Sequence, residues 1–297
     1  MKIKETKLWT ALVTPLDESG EIDFTALKEL FKEQENAGNG ILLLGSTGES
    51  LNLDLEERKK IIDFTSDIGH NVPLMVGVGG ANLKSMQEWI SFLENFNHID
   101  AYLMVTPLYA KPGVMGQYEW FKTLMDQAGK PVMLYNIPSR TGITLHFETL
   151  KKLIGHKRLW ALKEASGNID VFKKYRETAP DLNLYSGDDA FFPEHAKLGA
   201  RGLVSVASNA WPEQTALYVE QALQNKLTEK KLWEKACDSL FTASNPIPVK
   251  ALLHLQQKIK TPLTRPPLSS RDLKETAGLL EMDYAIKKWF KEQTQEK

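Results

Sequence analysis

The sequence predicts an α/β protein, a closed (β/α)8 TIM barrel with a C-terminal helical extension, on three observations. Eight short apolar runs recur along the chain, each followed by an amphipathic stretch with helical spacing. Several of the runs are continuous in apolar residues, as in Ile41-Leu42-Leu43-Leu44 and Pro131-Val132-Met133-Leu134, which is the pattern of strands covered on both faces. Thr14-Pro15-Leu16 follows the first run, where an open doubly wound sheet usually carries a phosphate-binding glycine turn.

The strands are expected at Lys7–Thr14, Gly40–Thr47, Pro73–Gly79, Ala101–Pro107, Pro131–Pro138, Leu159–Ala165, Leu182–Asp188 and Arg201–Ser208. Between them, helices are expected at Asp23–Ala37, Asp54–Ile68, Leu83–Phe96, Val114–Ala128, Leu145–Ile154, Asn168–Thr178 and Ala190–Leu198. Asp23 and Asp54 stand where N-caps belong, and Gly38 and Gly199 where helices stop. Successive strand starts lie about 20–35 residues apart, the spacing of right-handed parallel crossovers. From Pro212 onward the periodicity is helical and no Pro/Gly/Ser-rich linker intervenes. Residues 1–211 are therefore expected to form the barrel core. Residues 212–297 add the last barrel helix and the extension within one structural unit.

Composition narrows the function classes. The 297 residues are 42% hydrophobic and 25% charged, with a formal net charge of −1. That balance lacks the clustered excess of Lys and Arg a nucleic-acid partner wants. No apolar run approaches the roughly 20 residues a membrane helix needs. Met1 to Trp9 shows no apolar core of a secretory signal, and the single Cys237 cannot form an internal disulfide. A cytoplasmic protein is expected.

In a barrel of this kind, chemistry gathers where the strands end. Those ends read GSTGES (45–50), Thr106-Pro107-Leu108-Tyr109, YNIPSRTG (135–142), LKEASG (162–167), SGDD (186–189) and Ser205-Val206-Ala207-Ser208. Lys163 is the sharpest signal, because it interrupts a run that should be buried. Desolvation lowers an amine's pKa and leaves neutral nitrogen to attack a carbonyl. The plain alternative is a lysine that snorkels outward or pairs with Glu164. Tyr135 should lie on the neighbouring strand, where a phenol can shuttle protons; otherwise it is a core tyrosine with a satisfied hydroxyl. Arg140 could grip a carboxylate in a two-pronged contact or form a surface salt bridge. Ser46 and Thr47, between two glycines, offer hydroxyls and N–H groups to a small carboxylate, or make a tight turn with no ligand.

Other chemistries find little support. The six histidines show no HExxH spacing, and there is no Walker lysine or GxSxG elbow. Asp188-Asp189 could ligate a metal, but adjacent carboxylates point to opposite sides. Neither a metal nor a cofactor is expected.

The strings at the strand ends, together with Thr10-Ala11-Leu12-Val13-Thr14-Pro15 and NPIPVK (245–250), resemble the pyruvate-dependent class I aldolase family that includes dihydrodipicolinate synthase and N-acetylneuraminate lyase. The resemblance spans nearly the whole chain. It implies that Lys163 forms a Schiff base with pyruvate, that Tyr135 shuttles protons and that Ser46, where many members have threonine, supplies the relay hydroxyl. It implies that Thr47 binds the pyruvyl carboxylate and that Arg140 receives the carboxylate of aspartate semialdehyde. Backbone at Gly187 and Val204 then lines the pocket. Tyr109 matches a tyrosine that enters a neighbouring subunit's relay, which implies a homotetramer built from tight dimers.

SRTG, GDD and NPIPVK look more like the synthase than the lyase. The implied reaction is condensation of pyruvate with L-aspartate 4-semialdehyde to 4-hydroxy-tetrahydrodipicolinate, towards diaminopimelate and lysine. The alternatives are an N-acetylneuraminate or 2-keto-3-deoxy sugar-acid lyase on the same imine, and a keto-acid-binding barrel without turnover. Lysine-inhibited synthases carry histidines and a glutamate around the dimer cleft. The matching positions here are Leu55, Arg58 and Met86, with Leu108 replacing an aromatic residue while Ser50 and Asn82 persist. Weak or absent feedback by lysine is the expectation.

Overall fold

A computed structural model describes residues 2–295. Eight strands, β1 Leu8–Ala11, β2 Gly40–Leu43, β3 Leu74–Val78, β4 Ala101–Val105, β5 Val132–Asn136, β6 Leu159–Glu164, β7 Asn183–Ser186 and β8 Gly202–Ser205, close into a barrel in sequence order. Every pairing is parallel, and β8 returns to β1 through Leu8↔Leu203, so the sheet has no free edge. The paired segments are shorter than the apolar runs. Residues beyond the ladder, such as Leu12 and Val13, are buried at the rim without extending the strand, and hydrophobicity alone does not separate the two states.

Helices α1 Phe24–Asn36, α2 Leu55–Ile68, α3 Leu83–Leu93 and α4 Val114–Gln127 follow the first four strands. Asp23 accepts from Ala26 N, and Asp54 with Glu57 forms a reciprocal capping box, which satisfies orphan N–H groups at each start. Gly38 and Gly199 take left-handed φ values of 70° and 84° just past helix ends, where a side chain would be strained. One element escapes the periodicity. The chain leaves β5 at Asn136 and turns at Pro138 into a single helical turn, α5 Pro138–Thr141, with proline at its first position. Arg140 stands on this turn. Helices α6 Phe147–Leu153, α7 Ile169–Thr178 and α8 Phe192–Lys197 complete the regular alternation.

After β8 come α9 Pro212–Leu223, α10 Lys230–Ser239, α11 Ile247–Leu255 and α12 Ala277–Gln295. Trp233 knits three of them together: it stacks on Tyr218 at 4.3 Å and meets Trp289 edge-on at 5.2 Å. Helix α11 is buried from Ile247 to Leu253, so it is a core element rather than an appendage.

Strand alternation divides the apolar residues between two compartments. Leu162, Leu134 and Val76 point outward to the helices, whereas Trp9, Ala161, Tyr185 and Val204 fill the barrel. Trp160 packs against both Trp9 and Tyr185. The Tyr185 hydroxyl donates to Thr6 O in the segment before β1, placing this aromatic group toward the N-terminal end. Polar residues are left for the opposite mouth.

Candidate active site

Lys163 belongs to the inward face of β6, between Ala161 and Ala165, and is only 5% exposed. Its register partner on β5 is Tyr135, and the ammonium nitrogen lies 4.2 Å from that ring's centroid. Glu164, the pairing partner of the plain alternative, turns to the other face. There it accepts from Asn136 Nδ2 at 2.6 Å and from Ser166 N at 2.7 Å. Burial pulls the Lys163 pKa down to about 8, against the opposing pull of Asp188 and Asp189. Burial likewise raises Asp188 to about 6 and Glu164 to about 7.

Tyr135 is also buried, which pushes its phenol well above the usual range, while Arg140 and a hydrogen bond with Ser46 pull the other way. The lysine stem lies against Gly187. A Cβ added there would stand 2.5 Å from Lys163 Cε and 2.6 Å from Ala165 Cβ, so only glycine permits this approach. Val204 faces inward from β8, in register with Trp9.

The GSTGES turn is fixed from below. Glu49 has a left-handed φ of 56° and a buried carboxylate. Lys250 of α11, fully buried, donates to Glu49 Oε1 at 2.7 Å and to Thr14 O at 2.9 Å. Glu49 Oε2 accepts from Arg265 N at 2.7 Å. Thr47 is buried and its hydroxyl oxygen accepts from Asn245 Nδ2 at 2.9 Å. Arg140 Nη2 donates to Asn245 O at 3.0 Å.

A cavity of about 950 Å³ opens over this region, lined among others by Ser46, Tyr135, Arg140 and Tyr109. Of the catalytic and substrate-binding residues expected from the sequence, these four share its wall, and Ser50 and Leu108 of the expected lysine cleft line it too. Thr47, Lys163, Gly187 and Val204 do not line it, and Lys163 meets it through the Tyr135 ring. Tyr109 stands out, 94% exposed and with a left-handed φ of 68°.

Other groups around the lysine went unassigned in the sequence. Asp188 and Asp189, read there only as poor metal ligands, are the carboxylates that act on its charge. Asp189 accepts from the Ser205 hydroxyl and from Val206 N, and Asp188 accepts from Gly167 N at 3.1 Å. Asn136 Oδ1 accepts from Leu145 N at 2.8 Å, which ties down the far end of the segment carrying Arg140. Asn245 lay inside the NPIPVK string but nothing local marked its role. Among the described residues, no three His, Cys, Asp or Glu side chains gather into a metal site.

Residues 4–283 match the model of the Dihydrodipicolinate synthetase family. The chain is 49% identical over 286 residues to 4-hydroxy-tetrahydrodipicolinate synthase of Francisella philomiragia, covering 96% of this chain and 97% of the relative. It is 45% identical over 288 residues to the enzyme of that name from Wolbachia pipientis of Culex pipiens, covering 97% and 98%. Among solved structures, the lysine-bound synthase of Cyanidioschyzon merolae superposes with a TM-score of 0.87 at 31% identity, over 95% of this chain and 98% of that one. The pyruvate complex of the Acinetobacter baumannii synthase gives 0.87 at 29% identity, over 94% and 99%. Barrel, site strings and near full-length identity agree, and the chain belongs to the dihydrodipicolinate synthetase family.

Proposed function

We infer that the chain condenses pyruvate with L-aspartate 4-semialdehyde to 4-hydroxy-tetrahydrodipicolinate, in lysine and diaminopimelate biosynthesis. The observation that carries the reading is the buried Lys163 amine, with its pKa drawn to about 8, facing the Tyr135 ring. The neutral amine attacks the keto carbon of pyruvate, and loss of water leaves an imine. Tyr135, with the Ser46 hydroxyl beside it, moves the protons for dehydration and for removal of a methyl proton to give the enamine. The enamine carbon then adds to the aldehyde. Attack of the acceptor's amino group on the imine carbon closes the ring and returns Lys163.

Thr47 holds the pyruvyl carboxylate and Arg140 that of the acceptor, with the backbone at Gly187 and Val204 shaping the floor. The protonated imine between Lys163 and pyruvate is the electron sink, so the reading calls for no cofactor. Borohydride reduction in the presence of pyruvate, followed by peptide mass mapping, is the test. The expected result is a pyruvyl adduct on Lys163, and an adduct confined to another lysine overturns the assignment. Comparing kcat/KM for aspartate semialdehyde, N-acetylmannosamine and a glyceraldehyde-type acceptor separates synthase from lyase.

Tyr109 supports an assembly. A tyrosine 94% exposed at the cavity rim, on a left-handed backbone, suits insertion into a neighbouring copy. A homotetramer of tight dimers in the cytoplasm is the form we propose, and no described helix is long and apolar enough to cross a membrane. A solved relative 28% identical is described as a monomeric variant, so sedimentation velocity is the deciding measurement.

A further inference from the structure

Two anchors for two carboxylates, one in the turn after β2 and one on α5 after β5, converge on one residue of the C-terminal segment. Asn245 is 5% exposed and precedes α11. Its side-chain amide donates to Thr47 Oγ1 at 2.9 Å, and its main-chain carbonyl accepts from Arg140 Nη2 at 3.0 Å. Lys250, five positions on, grips the same GSTGES turn through Glu49, so the asparagine is held against that turn at a second point. The direction of the first bond matters. A hydroxyl that accepts an N–H keeps its own hydrogen to give elsewhere. Asn245 thereby commits Thr47 to donating, the role a carboxylate requires.

We propose that Asn245 is a positioning residue for both substrates: its side-chain amide sets the Thr47 hydroxyl as a donor to the pyruvyl carboxylate, and its carbonyl aims the Arg140 guanidinium at the acceptor's carboxylate. This rests on the synthase reading above. Because the carbonyl survives any side-chain replacement, the two functions separate by mutation.

Asn245→Ala and Asn245→Asp, each alone and combined with Thr47→Val, are compared with the parent enzyme by steady-state kinetics and by borohydride trapping at saturating pyruvate. Asn245→Ala is expected to raise the KM for pyruvate about tenfold, the loss of one hydrogen bond, with kcat and the KM for the aldehyde within about threefold. Asn245→Asp keeps the volume but accepts from Thr47 and turns its hydrogen away. It is expected to raise the pyruvate KM further, with the defect relative to the parent shrinking at lower pH, where a protonated carboxyl donates again. In the Thr47→Val background, neither change should weaken pyruvate binding more, because the partner is gone.

An unchanged pyruvate KM in Asn245→Asp, equal rises in both KM values, or effects that multiply with Thr47→Val would each overturn the proposal. Absence of any imine in the parent enzyme would instead sink the functional reading on which it stands. Far-UV circular dichroism checks each fold, and the equal-volume Asp variant keeps the test decisive if the Ala variant unfolds.

Discussion

Lys163 and Tyr135 are register partners on adjacent parallel strands, with the amine 4.2 Å from the centre of the phenol ring. The pairing makes their roles separable. Replacing Lys163 by Ala or Arg removes the nucleophile, and turnover should fall by roughly 10³-fold or more, with no trapped adduct. Tyr135→Phe preserves the packing but loses the proton carrier, so kcat should drop about 10²–10⁴-fold while slow imine trapping persists.

The acid limb of the pH profile follows from the lysine. Attack needs the unprotonated amine, so kcat/KM for pyruvate should rise with pH and level off near 8. At pH 7 about a tenth of the amine is free, against about three parts in ten thousand for an ordinary lysine. Asp188 favours the ammonium form, so Asp188→Asn should move the limb to lower pH. A limb that stays fixed or moves upward in stopped-flow imine formation contradicts this.

Gly187→Ala places a methyl 2.5 Å from Lys163 Cε. The lysine must swing away, and the rate of imine formation should fall more than about tenfold, with roughly 1–3 kcal/mol of lost stability from overpacking. Wild-type trapping kinetics would disprove the contact.

The Glu49–Lys250 pair is sealed, with both side chains at 1% exposure or less. Lys250→Met leaves a buried carboxylate without its cation and should cost about 3–5 kcal/mol in denaturant unfolding. Adding Glu49→Gln should recover part of that loss, since Gln keeps an acceptor for Arg265 N while removing the stranded charge.

L-Lysine should inhibit weakly. Met86 is buried where the resemblance places a glutamate, and the Arg58 guanidinium stacks 5.4 Å from the Trp89 ring. An amino-group ligand meets a thioether and a cation there instead of an anion. An inhibition constant in the submillimolar range at saturating pyruvate would refute the expectation.

Periodicity carried the barrel, because strands covered on both faces and capped helices write themselves locally: Asp54 and Glu57 are three residues apart, and Gly38 adjoins its helix. Lys163 was legible because a charge in an apolar run is anomalous wherever it falls. The single turn at Pro138–Thr141 was not, being too short to show a period. Asn245 was hidden for a different reason. Its two partners lie 198 and 105 positions away, and only closure of the barrel brings them together. The effect of Asp188 and Asp189 on Lys163 was not legible, since it depends on a strand-to-strand distance that no spacing encodes.

The bolt from Lys250 to Glu49 joins a helix of the last quarter of the chain to a turn formed near its beginning. On the ribosome, all eight strands emerge before α11 does. A nascent barrel at that stage has its lysine and its phenol, yet the turn that bears Thr47 is still unbraced. The brace on that turn therefore comes late in synthesis, when the final helices dock.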